Sequence, residues 1–162
     1  MRASRCALLA VFLAFGGCDQ TLRDAVTSHQ EGADAYAHGN YALALEKFRP
    51  FAEQGNAQAQ FSLGLMYHQG QGVAQDDKEA VAWWNKAAEQ GHVEAQDNLG
   101  MRYARGQGVV QDWVQADKWF TVAAGLGNEA SMKDKKVVEV HMQAEKIAEA
   151  NALAQEWLAT HK

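Results

Sequence analysis

Residues 57–92 and 93–128 can be written one above the other without a gap, and the two rows agree at sixteen of 36 positions. A chain that copies itself at such a period folds as a stack of one small unit, because a single copy cannot bury its apolar face alone. The shared positions include Ala59/Ala95, Leu63/Leu99, Gly64/Gly100, Tyr67/Tyr103, Gly70/Gly106, Gly72/Gly108, Asp76/Asp112, Ala80/Ala116, Trp83/Trp119, Ala87/Ala123, Ala88/Ala124 and Gly91/Gly127.

Each unit reads as a helical hairpin. Ala59, Leu63, Met66 and Tyr67 fall on one face of a helix, and Gly70 and Gly72 then stop it. The second helix opens with Asp76, which has Glu79 three residues on; Asp112 has Gln115 at the same spacing, a capping box in both units. Ala80, Trp83, Trp84, Ala87 and Ala88 supply its apolar face, and Gly91 ends it. Gly64 and Gly100 sit inside a helix, where glycine costs about 1 kcal/mol relative to alanine. Close contact with another helix at that point is the expected compensation.

The pattern Ala59, Leu63-Gly64, Tyr67, Gly70-x-Gly72-Val73, Asp76, Ala80, Trp83, Lys86-Ala87-Ala88, Gly91 resembles the Sel1-like repeat, a relative of the tetratricopeptide repeat. The second copy follows it with Val122 in place of Lys86 and Gly125 in place of Glu89. The resemblance implies an all-α, right-handed solenoid of antiparallel helix pairs, eight helices in four pairs. Residues 22–56 look like a shortened first unit, with a helix over 22–37 (Thr21 and Asp24 at capping-box spacing), Asn40 capping the next helix and Pro50 near that helix's end. After the full repeats, residues 129–162 form a C-terminal cap. It comprises a first-type helix over 129–140 and a last helix over 142–160 with Ile147, Ala150, Ala154, Trp157 and Leu158 on one face.

The start of the chain is of another kind. Arg2 and Arg5 precede an unbroken apolar run over 7–15, too short for a membrane span but right for the core of a secretory signal, taken as residues 1–17. Phe15-Gly16-Gly17-Cys18 resembles a bacterial lipobox, which implies lipidation of Cys18 and a membrane anchor. Ordinary cleavage after Gly16, leaving a free thiol, is the rival. Residues 18–21 would be a tether spanning on the order of 14 Å, and Asp19 resembles an inner-membrane retention signal. These features imply export to the periplasmic side of the cell envelope. With Cys6 in the removed segment, no disulfide forms within one mature chain.

From Cys18 onward 13 basic residues stand against 20 acidic ones, a net charge of −7 with no basic run, which argues against nucleic acid. The six histidines lack the spacing of a helical metal site, so no metal or cofactor is expected and a solvated surface suits them better. The Gly70-Gln-Gly and Gly106-Gln-Gly stretches follow helices rather than strands and are interhelical turns, not phosphate loops. No nucleophile elbow occurs either. Cysteine-rich relatives linked to β-lactam chemistry carry a cysteine pair in each repeat, which this chain lacks.

The reading is therefore non-enzymatic: an adaptor for a protein or peptide in the cell envelope, binding along the concave groove lined by first helices. A glycan-binding part of cell-wall or exopolysaccharide assembly is the alternative, and a hydrolase of a cell-wall or β-lactam substrate stands behind both. Turned away from Leu63 and Tyr67 are Phe61, Leu65 and His68, and in the next unit Asp97, Met101 and Arg105. These six define the expected groove; packing against the neighbouring first helix is an equal reading of them. Trp83 and Trp119 belong to the core, while Trp84 and Trp113 are the candidates for exposed aromatics that would anchor a ligand. Partner identity and oligomeric state are not legible.

Overall fold

The computed structural model describes residues 28–161. The signal segment, Cys18, the tether and the first turn of the helix expected from Leu22 lie outside these residues. Eight helices follow one another, with no strand among the described residues: α1 (28–37), α2 (Tyr41–Glu53), α3 (Ala57–Gln69), α4 (Asp77–Ala88), α5 (Val93–Arg105), α6 (Trp113–Gly125), α7 (Glu129–Glu139) and α8 (Ala144–Thr160). From α2 to α7 each helix packs on the next, which is the mark of a solenoid.

The caps explain why the helices start where they do. Asn40, Asn56 and Asn128 each accept a backbone N–H from the first turn of α2, α3 and α7. Asp76 accepts from Lys78 and Glu79, and Asp112 from Val114 and Gln115. The return half of the expected capping box is replaced by a longer link. The Asp76 N–H is donated to the Tyr67 carbonyl at 2.9 Å and the Asp112 N–H to that of Tyr103 at 3.0 Å, tying each second helix to the first. Pro50 lies within α2. Helix α4 stops at Ala88 rather than at Gly91, which instead turns the chain with φ +85°.

Three further contacts recur at the period of the repeat. A Cβ on Gly64 would lie 2.3 Å from Trp84 Nε1, and one on Gly100 would lie 2.6 Å from Phe120 Cδ1, so each glycine admits a ring flat against its helix. The turn of each unit lies on the preceding second helix. A Cβ on Gly72 would come within 2.5 Å of the Tyr41 carbonyl oxygen, and one on Gly108 within 2.2 Å of that of Asp77. Finally, buried Gln60 and Gln96 donate Nε2 to the Ala52 and Ala88 carbonyls at 2.9 and 3.0 Å, satisfying acceptors at the end of α2 and α4.

The third unit departs from all of this. One period after Gln96, Leu99 and Gly100 stand Met132, Lys135 and Lys136. The lysine at 136 denies α8 the seat that Trp84 and Phe120 have on their partner helices. Instead of closing on α7 to complete a fourth pair, α8 packs along α6, with Leu158 against Gly125 and Trp157 edge-on to Trp119. It begins at Ala144, after a short break at 141–143. Ala150, Ala154 and Trp157 are its buried face, and the Trp157 indole donates to Glu89 at 2.9 Å.

Lys135 reaches into the α6–α7–α8 junction and meets buried Asp117 at 3.0 Å, Glu139 at 2.8 Å and Asn151 at 3.1 Å. Asp117 occupies the position held one repeat earlier by Val81, and Lys135 that of Leu99. Val81 and Leu99 share one apolar cluster, so an ion pair here replaces two apolar core residues. Burial raises the Asp117 carboxyl above the usual carboxylate range, against the pull of Lys135. Burial also works against the Lys135 ammonium. Its bonds to Glu139 and Asp117 outweigh that effect and hold it above the usual lysine range, which keeps it charged.

Candidate interaction groove

The six groove residues lie on α3 and α5, with Phe61 and Asp97, and Leu65 and Met101, at equivalent positions, and the structure gives them unequal roles. Phe61 and Leu65 are half-buried and pack onto the central core. His92, from the turn leading into α5, stacks on the Phe61 ring at 4.5 Å and 23°. At this end, packing between repeats is what these residues do. His68 Nδ1 lies 2.6 Å from Asp77 Oδ1, joining the end of α3 to the start of α4. Asp97 is half-buried and accepts the Ser131 hydroxyl from α7. Burial, followed by the neighbouring Asp134 and Glu94, pushes its carboxyl up in spite of that bond.

Met101 and Arg105 have open space beside them. With Ala104, Asp134, Val137 and Val138 they line a cleft of about 130 Å³ between α5 and α7, floored by Phe120. Val137 is the next member of the row Leu65–Met101–Val137, and it is 63 % exposed. The accessible apolar strip thus lies toward α7 rather than α3, with Arg105 exposed at its rim. Val137 is the residue the sequence reading left out. Carrying the 36-residue register one step past Met101 would have found it.

The two candidate aromatics separate as well. Trp84 is fully buried, 0 % exposed, with its indole lying on Gly64, and is withdrawn as a ligand platform. Its neighbour Trp83 is also buried, as is Trp119. Both second-helix positions face inward because rings from α4 fill the space on both sides of the helix. Trp113 is half-buried and stacks on His141 at 4.8 Å and 19°. It borders an open hollow of about 560 Å³ with Gln115, Gln143, Lys146 and Glu149. In the complete repeats a glycine turn lies flat on this point of the preceding helix; here His141 and Met142 stand in its place, and the hollow remains.

The histidines correct the expectation of a solvated surface. Five of the six lie against an aromatic ring, and His29, His68 and His92 are half-buried. Burial lowers the His92 imidazole below its ordinary 6.5, with Glu94 pulling weakly the other way. Because the folded value is the depressed one, His92 stabilises the fold fully above the unfolded value and loses that contribution as pH falls from there through the folded value. Thermal unfolding between about pH 7.5 and pH 5 should therefore show a larger drop in Tm for the natural chain than for His92→Gln. Equal drops would remove His92 as the cause.

A ladder of hairpins with a repeating inter-repeat seam defines a class: helical-repeat proteins, which present extended surfaces to partners. The model of the Sel1 repeat matches residues 57–92 and 93–128, so these two units are Sel1 repeats. Two solved structures are similar. One is a protective antigen present in uropathogenic Escherichia coli strains displaying an SLR fold. It is 34 % identical with a TM-score of 0.79, and the match covers 85 % of this chain and 30 % of that one. The other is a Sel1 repeat protein from Oxalobacter formigenes, 28 % identical with a TM-score of 0.66, covering 80 % and 55 %. The chain thus spans less than a third of the first and about half of the second. No curated protein matches the sequence.

Proposed function

We propose that this chain is a non-enzymatic adaptor that binds a protein or peptide on the groove face of its first helices, on the periplasmic side of a bacterial cell envelope, anchored by lipid on Cys18. The observation that carries the reading is the row Leu65–Met101–Val137, whose last member is exposed and which ends at the cleft between α5 and α7. An apolar strip with Arg105 and Asp134 at its edge suits a segment offering a few apolar side chains and polar flanks. The envelope location rests on the basic start, the apolar run and the lipobox-like Phe15-Gly16-Gly17-Cys18.

Crosslinking and recovery from envelope fractions tests the binding, comparing the natural chain with Met101→Glu plus Arg105→Glu. Far-ultraviolet circular dichroism checks that the variant keeps its helices. The expected result is a partner recovered with the natural chain and reduced at least roughly tenfold with the folded variant, the loss of a few contact residues' binding energy. Equal recovery would remove the groove. Cys18→Ser should move the protein from the membrane to the soluble envelope fraction, and unchanged partition would remove the anchor.

Glycan binding is the second reading, and Trp113 in its open hollow is the observation that favours it. Soluble cell-wall fragments should then quench Trp113 fluorescence, an effect lost in Trp113→Leu.

A further inference from the structure

Among the described residues five large hydrophobic side chains stand exposed, and three of them are on one eleven-residue helix: Met132 at 52 %, Val137 at 63 % and Val140 at 82 %, all on α7 or its cap. The repeat explains what is bare. The equivalents of Lys136 are Gly64 and Gly100, which in both complete units lie under the second helix of the same hairpin, and His68, two periods before Val140, meets Asp77 and Trp84 of that same helix in the first unit. The helix that would cover Lys136 and Val140 in the third unit, α8, lies along α6 instead. A seat for a hairpin mate is left open on α7.

We propose that this seat is a docking surface for an amphipathic helix of a partner protein, with carboxylates flanking its apolar face. The proposal rests on the adaptor reading but uses the outer side of α7, not the cleft between α5 and α7. Two observations identify the occupant. The first is continuity: the same surface of α3 and α5 is covered by a helix, so a helix at an interaxial distance of about 8–10 Å fits it. The second is charge. Lys133 and Lys136 are exposed beside Met132 and Val140, two ammonium groups against the one exposed carboxylate of Glu129 on this face, on a chain of net charge −5. Where Trp84 and Phe120 lie flat on glycine, an approaching helix here meets the ammonium group of Lys136. An acidic side chain completes that contact, and an aromatic ring does not. Helix α7 is about 16 Å long at 1.5 Å per residue, so a partner helix of roughly three turns covers it. A second copy of this chain is the poorer occupant, since two chains of like net charge repel.

The test uses the full chain and two synthetic helices of about 15 residues, identical in their leucine face and flanked either by glutamate or by lysine. Methyl resonances of Met132 and Val140 report binding at the seat, and those of Val137, which lines the cleft with Met101, report binding at the groove. The expected result is that the glutamate-flanked helix shifts the Met132 and Val140 methyls and binds at least about tenfold more tightly than the lysine-flanked one. Lys133→Glu plus Lys136→Glu, both at exposed positions, should invert the preference. Shifts confined to Val137, Met101 or Trp113, or no preference between the helices, would overturn the proposal. So would concentration-dependent dimers through the Met132 and Val140 methyls, or shifts produced only by anionic lipid vesicles. Met101→Glu plus Arg105→Glu leaves this binding unchanged, so failure here and failure of the groove are separate results.

Discussion

Replacing Lys135 with leucine alone is expected to destabilise the chain by about 3–5 kcal/mol, the usual cost of leaving a buried charge without its partner. Replacing Asp117 with valine at the same time should return the stability to that of the natural chain or above it, by up to about 4 kcal/mol. The argument is positional. Asp117 and Lys135 occupy the places of Val81 and Leu99, one repeat on, and those two residues sit together in the central core. The double variant therefore writes into the third unit a pair the fold already uses. Asp117 is fully buried and its carboxyl is raised by burial, so without the Lys135 ammonium at 3.0 Å nothing of opposite charge holds it. Glu139 and Asn151 lose the same ammonium and are left to solvent or to each other. Urea unfolding of the two singles and the double closes the cycle. Additive losses in the double would contradict the swap, since the account requires strong compensation.

The second large effect is at the seam between repeats. Gly108→Ala should cost roughly 2–5 kcal/mol, combining a left-handed backbone (about 1–2 kcal/mol for a side chain there) with overpacking (about 1–3 kcal/mol). The residue has φ +74°, and a Cβ would stand 2.2 Å from the Asp77 carbonyl oxygen and 2.5 Å from its carbon, backbone atoms at the start of α4 that have no rotamer to change. Gly39→Ala is the control. It has φ +75° but nothing within 4 Å of the added carbon, so only the backbone term applies. If unfolding midpoints fall equally in the two variants, the turn does not hold the repeats together and the seam must lie elsewhere.

The two complete repeats were legible because their physics is repeated. Sixteen shared residues mark the glycine turns, the aspartate caps and the close contact at Gly64 and Gly100, and each of these has a counterpart in the structure. Gln60 and Gln96 were among the shared residues, yet their bonds to the Ala52 and Ala88 carbonyls were not read, because a glutamine in a helix usually signals solvent. Trp84 was misplaced for a related reason. The apolar arc of α4 spans two adjacent positions, and only the glycine opposite reveals that both are inside. The third unit failed more instructively. Its helix count was right, but pairing α8 with α7 assumed that the hairpin would close. Met132, Lys135 and Lys136, read in register, were the signal that it does not. The groove was half legible: equivalence placed its row, while the stacking of His92 over Phe61 joins residues from different units and no period announces it.

The adaptor reading is tested most directly by a photo-crosslinking amino acid placed singly at Arg105, on the rim of the cleft, and at Ala82, exposed on α4. After illumination in intact cells, covalent adducts are separated and identified. The account predicts a discrete protein adduct from position 105 and none from position 82. Adducts from position 82 alone, or the same adducts from both, would contradict binding at the groove.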